Sequence, residues 1–290
     1  MRALPIFLLF LFNWFILYLV LSLLPSFGMQ GAVRNEAIAA LAFVILFGLA
    51  FLLDSPLGQQ LLRLLSGARK PIERETDKIN PILGEVQRKV QEVTASPPLP
   101  VQLMILDDPM PTAFSTGKAT LAISRGLYEK ASSGELAAVI AHECAHLHNG
   151  DSHRLGIAAG ISLPSLVVTA ASGAIARFAS TVIANHNGKD EGTILSILCF
   201  ILLVFAGFFG LIARVGAWLL SLITLFTGRQ QELEADRFAV RLGYGAGLLS
   251  FLDKIKDLEA KKSGGVFNRL YATHPDIMLR IGKIEEILKD

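Results

Sequence analysis

The first chemistry this sequence offers is two histidines one helical turn apart with a glutamate beside the first, in His142-Glu143-Cys144-Ala145-His146. On a helix, positions i and i+4 share a face, so both imidazoles reach one metal ion at nitrogen distances of about 2.0–2.1 Å. Glu143, about 100° round the helix, then faces a water at the metal and takes its proton as the water attacks a carbonyl. That is metal-assisted hydrolysis. The competing reading, two solvated histidines on a surface helix, fits poorly with a run so rich in Ala, Val, Ile and Leu.

Catalytic zinc usually keeps three protein ligands and one open position, so a third donor is needed. A histidine six residues beyond His146 is absent, since that position is Ser152. His148, two residues past His146, points off the ligand face, and His153 lies beyond the Gly150 stop. A better candidate stands in Glu232-Leu233-Glu234-Ala235-Asp236. Glu232 and Asp236 are again i and i+4, so the first can ligate while the second accepts a hydrogen bond from a ligand imidazole. By itself such a string is more often a solvated charged face.

These residues must be carried by something at home in lipid. Of the 290 residues, 52% are hydrophobic, with a mean hydropathy of +0.50, too apolar for an ordinary soluble enzyme. The formal net charge of +2 and the scattered basic residues argue against a nucleic-acid partner. Cys144 and Cys199 give no disulfide framework. Residues 4–24 form an uncharged stretch long enough to cross a hydrocarbon core of about 30 Å, without a signal-peptide cleavage site after it. Residues 37–53 form a second span. Two further apolar stretches, 155–176 and 193–213, are separated by the polar segment 185–192, and the second continues past Arg214 to residue 226.

Between the hairpins the chain turns polar. Residues 101–106 read as a buried strand and 113–124 as further strand broken by Gly117. Ser132 and Glu135 form a capping box opening the helix that carries His142, with Gly150 as its stop. The expected organisation is a transmembrane hairpin (1–54), a catalytic region with the metal helix (55–154), a second hairpin (155–228) and a catalytic region with the third donor (229–290). Arg63, Arg69, Lys70 and Arg74 follow the second span, and Arg154 and Arg229 flank the later pair. By the positive-inside rule, both termini and the metal motif are expected in the cytoplasm.

Taken together, the two N-terminal spans, Thr112-Ala113-Phe114-Ser115-Thr116-Gly117, Ala141 to His146 with Asn149-Gly150-Asp151 after it, the second apolar pair and the Glu232 to Asp236 string resemble the HtpX-like heat-shock membrane proteases. This is a branch of the family that also contains the CaaX prenyl proteases. The resemblance covers most of the chain. It implies an α-helical integral membrane protein of the plasma (inner) membrane, with about four transmembrane helices and an α+β zincin-like (gluzincin) cytoplasmic domain. It further implies one Zn2+ per chain held by His142, His146 and Glu232, with Glu143 as general base and Asp236 and Arg280 around the ligands. His274, in a late His274-Pro275 element, would steady the oxyanion. Ala113, Phe114, Ser115 and Thr116 would form the edge strand along which substrate adds. The implied partners are the lipid bilayer and damaged or misfolded membrane proteins. Cys144 departs from the family pattern, which more often has an aliphatic residue there. Two other readings are a CaaX-type processing enzyme and a non-catalytic metal-binding membrane protein; the latter lacks an ion path in its spans and leaves Glu143 without a purpose.

Overall fold

The computed structural model describes residues 3–23, 31–52, 55–185, 192–260 and 277–289. It is mostly helical, with one small sheet, and divides into two compact units: residues 1–52 with 157–223, and 53–156 with 224–290. Among the described residues, four helices contain stretches long and apolar enough to cross a membrane: α1 (Ala3–Ser22), α2 (Gly31–Leu52), α7 (Asp151–Asn185) and α8 (Gly192–Arg241).

In the first unit, α1 and α2 pack through small polar devices as well as apolar area. The Trp14 indole N–H donates to the Ala39 carbonyl at 2.9 Å, and Phe10 meets Phe43 edge-on with centroids 5.5 Å apart. Arg34 lies in the first turn of α2, where its guanidinium donates to the Ser22 carbonyl at 2.8 Å. A helix end leaves such carbonyls without intrahelical partners. Asn13, fully buried, accepts from the Ser165 hydroxyl at 2.6 Å next to Pro164 of α7. Gly160 and Gly216 permit close approach, for a Cβ on Gly160 would stand 2.1 Å from the Leu49 carbonyl oxygen and one on Gly216 2.2 Å from Ser165 Oγ.

The second unit builds a core around the metal-motif helix. Strands β1 (Gln102–Leu106), β2 (Ala113–Thr116) and β3 (Thr120–Ser124) form a sheet of order β1-β3-β2, β3 being parallel to β1 and antiparallel to β2. Gly117, at φ +60°, makes the β2–β3 turn in the left-handed region that glycine occupies without penalty. The same unit contains α3 (Pro56–Ser66), α4 (Glu73–Thr94), α5 (Arg125–Lys130), α6 (Ser133–Asn149), α9 (Gly245–Ala260), α10 (Ile277–Lys289) and the last part of α8, with α5 and α6 against the sheet.

Helix α6 begins and ends where its local chemistry dictates. Ser132 accepts from the Glu135 N–H at 3.2 Å, and Glu135 accepts from the Ser132 N–H at 2.8 Å. At the other end Gly150 adopts φ +69° and donates back to His146 and Leu147. Every residue from Glu135 to Leu147 is buried, against α4, α9 and β2. Glu135 also accepts from Ser250 at 2.6 Å and from Lys254 at 2.7 Å, which binds the start of α6 to α9. Gly247 lets α9 approach closely, since a Cβ there would meet the Gly134 carbonyl oxygen at 2.5 Å.

Candidate metal centre

His142 and His146 project from one face of α6, and Glu232 comes to them from the polar end of α8. That helix runs unbroken from Gly192 to Arg241, so the donor sits on the same helix as the last apolar stretch. The two Nε2 atoms are 3.3 Å apart, and the Glu232 carboxylate lies 3.3 Å from His142 Nε2 and 3.4 Å from His146 Nε2. All three side chains are buried. Among the described residues this is the one His/Cys/Asp/Glu cluster with metal-ligand spacing.

Each imidazole is backed by a second carboxylate. Asp236 lies 2.9 Å from His142 Nδ1, and Asp151 lies 3.2 Å from His146 Nδ1. Such contacts fix Nδ1 as the protonated nitrogen and direct the Nε2 lone pair into the cluster. Arg280 of α10 donates twice to Asp236, at 2.7 and 2.8 Å, and its guanidinium is also 3.3 Å from Glu232. This cation offsets part of the negative charge gathered around the histidines. Glu143, next to His142, is buried at 4% exposure.

The electrostatics follow from this crowding. Burial works to lower the His146 pKa, but hydrogen bonds to Asp151 and Glu232 outweigh it and raise it to about 10. His142 is likewise raised, its carboxylate partners Asp236 and Glu232 overcoming burial. A metal therefore competes with protons for these nitrogens. Burial penalises charge on Asp236 too, yet Arg280 and His142 hold it down at about 2. Cys144 is fully buried, and burial pushes its thiol up to about 12, so it packs as a small apolar side chain.

Of the residues singled out in the sequence, the structure thus brings together His142, His146, Glu232, Asp236 and Arg280. His148 is not among them; its ring stacks on Phe238 with centroids 5.9 Å apart. His153, past Gly150 in α7, is outside the donor cluster as well. His274 lies outside the described residues. Ala113, Phe114, Ser115 and Thr116 form β2, at the sheet edge and against α6, and the Ser115 and Ser152 hydroxyls are 2.7 Å apart. Asp151 is the residue whose part in the site sequence reasoning missed. Its signal was the glycine stop before it, which reverses the chain and returns the next side chain to the last turn of α6.

A family model described as peptidase family M48 matches residues 82–288, a stretch that contains the whole donor cluster and Arg280. This chain belongs to peptidase family M48. Relatives of the M48 chain include a protease HtpX homologue of Tropheryma whipplei (strain Twist), 31% identical with 77% of each chain covered. Another, from Dictyoglomus turgidum, is 29% identical over 94% of this chain and 90% of the relative. One from Streptococcus gordonii is 24% identical over 95% and 96%. The resemblance read from the motifs is borne out: this is an HtpX-like M48 protein, a membrane-bound metalloprotease acting on protein substrates.

Proposed function

We propose that this protein is a zinc endopeptidase of the inner membrane that cuts misfolded or damaged membrane proteins on the cytoplasmic side. The observation that carries this reading is the donor triangle. Ligands at about 2.0–2.1 Å from a tetrahedral zinc lie about 3.3–3.4 Å from one another; here the two Nε2 atoms are 3.3 Å apart, and the Glu232 carboxylate bridges them, with Oε2 3.3 Å from His142 Nε2 and Oε1 3.4 Å from His146 Nε2. Two imidazoles and a carboxylate are also a donor set that catalytic zinc takes. His142, His146 and Glu232 are accordingly the residues that would hold it, one ion per chain. Zinc bound there would polarise the scissile carbonyl and acidify the attacking water.

The chain's own groups do the rest. Glu143 accepts the proton of the attacking water and returns it to the departing amine. Asp236 and Asp151 hold the two imidazoles in the donating tautomer, and Arg280 keeps Asp236 ionised and aimed at His142. Residues Ala113 to Thr116 present the free edge of β2 to an extended substrate, which adds by main-chain hydrogen bonds and is therefore read with little regard to sequence. His274 steadies the oxyanion. The catalytic domain is of gluzincin type, assembled from 55–154 and 229–290 and anchored by the hairpins 1–54 and 155–228, with both termini in the cytoplasm.

The test is cleavage of an unfolded casein-like substrate by the purified, zinc-loaded protein and by Glu143→Gln, with zinc measured in both. We expect full zinc in the variant and a loss of rate of at least about a hundredfold. Equal cleavage by the two would sink the mechanism. Cleavage confined to prenylated peptides would favour a CaaX-type processing enzyme instead.

A further inference from the structure

Helix α3 is too short to cross a membrane and too apolar on one side to stand in water. Its 11 residues extend about 16 Å, half a hydrocarbon core. Leu57, Leu61 and Leu64, spaced four and three residues apart, fall on one stripe and are 72%, 46% and 81% exposed. Among the described residues, none of the three leucines belongs to the apolar clusters of the catalytic core.

Chain connectivity and charge indicate what covers this stripe. The apolar helix α2 ends at Leu52 and α3 begins at Pro56. Four chain steps reach at most about 14 Å, so α3 starts near where the second span leaves the hydrocarbon. In the stretch 56–74 Arg69 is taken up by Glu75 and Asp107, which leaves Arg63, Lys70 and Arg74 against one acid, Glu73. Lys70 and Arg74 are exposed, and Ile72 between them is 58% exposed. Leucine on one face with basic residues close by is the composition of a helix that lies in the headgroup layer of an anionic leaflet.

The end of α3 is fastened to the catalytic sheet. Ala68 packs against Met104, Leu106 and Ala122. The Arg69 backbone exchanges two hydrogen bonds with Ile105 of β1, both 2.8 Å, and its guanidinium donates to Glu75 at 2.7 and 2.8 Å and to Asp107 at 3.1 Å. In the order β1-β3-β2, this attachment is on the edge opposite β2.

We propose that α3 is an in-plane interfacial helix that seats its Leu57-Leu61-Leu64 stripe among anionic lipid headgroups and ties the β1 edge of the sheet to the bilayer surface. The opposite edge stays open to an extended chain, a consequence that rests on the role proposed above for β2. The docking of α3 does not depend on that role.

The test uses the full-length protein in nanodiscs of phosphatidylcholine with a quarter phosphatidylglycerol. Single nitroxide labels go on Leu57→Cys, Leu61→Cys and Leu64→Cys, with Arg88→Cys as the water control and Phe47→Cys as the lipid control. The native Cys144 and Cys199 are buried and stay unlabelled. The measurement is the ratio of oxygen to nickel-chelate accessibility, which needs no peptidase activity and so stands or falls separately from the proposed reaction. At all three positions we expect a ratio at least about threefold above Arg88→Cys, and a drop of about half in pure phosphatidylcholine with Phe47→Cys unchanged. Water-like ratios at the three leucines overturn the proposal. Shielding from both reagents overturns it too, because a protein surface then covers the stripe. Ratios insensitive to phosphatidylglycerol overturn the anionic-headgroup assignment.

Discussion

Glu135 offers a prediction that can be worked through from charge to melting temperature. Its carboxylate caps α6, is 2% exposed, and receives Ser250 and Lys254 from α9. Burial opposes its ionisation, but Lys254, Ser250 and the Ser132 N–H hold its pKa down at about 2, against an ordinary 4.5. A depressed carboxylate contributes stability above its unfolded pKa and loses it as pH falls through the folded one. A shift of about 2.5 units corresponds to about 3.4 kcal/mol at pH 7 and about 1.4 kcal/mol at pH 3. Lys254 is 55% exposed, so screening reduces the neutral-pH figure to about 2–3 kcal/mol. Glu135→Gln should therefore lower the unfolding midpoint of the catalytic unit by about 5–10 °C at pH 7 in detergent. By pH 3 the difference from the parent chain should shrink to less than half. Equal midpoints at pH 7, or a gap that stays constant down to pH 3, would refute the linkage of this clamp to the Glu135 charge.

Replacing Glu232 by Ala should remove bound zinc, read by metal analysis, while the protein stays in the membrane fraction; full stoichiometry would exclude it as a ligand. Asp236→Asn, which leaves the His142 imidazole less firmly oriented, should weaken zinc binding about 10- to 100-fold in a chelator competition, and unchanged affinity would deny Asp236 that role. Gly247→Ala should destabilise by about 1–3 kcal/mol in urea unfolding, because a Cβ 2.5 Å from the Gly134 carbonyl oxygen pushes α9 off α6. Cysteine labels at Asn187 and Ser263 should react from opposite sides of the membrane, and labelling of both from outside would overturn the cytoplasmic assignment.

What was legible in the sequence was what local chemistry decides. Ser132, Glu135 and Gly150 fix both ends of α6 through contacts a few residues long, so its position was readable, and with it the spacing of His142 and His146. Gly117 likewise marked the turn between β2 and β3. The neighbours of those histidines were harder. Arg280 reaches Asp236 across 44 residues, and only folding brings the pair together. Helix α8 was hard for a different reason: its composition changes from apolar to charged near residue 229 because its surroundings change, while its backbone hydrogen bonding continues to Arg241. Helix α3 escaped notice because 11 residues are too few for a span, and an amphipathic pattern with Leu57, Leu61 and Leu64 opposite Gln59 and Arg63 does not by itself tell whether protein or lipid meets the leucines.

The separation of the donors along the chain also sets an order in time. His142 and His146 leave the ribosome roughly ninety residues ahead of Glu232, with α7 and the apolar part of α8 in between. At about 5–20 residues per second, that leaves an interval of several seconds or more with two donors made and the third not yet translated. Arg280 follows later still, 48 residues after Glu232. With Glu232 as the third ligand, as proposed above, the order of synthesis keeps the hydrolytic centre incomplete until the second apolar pair has been made, as a removable propeptide does in a zymogen.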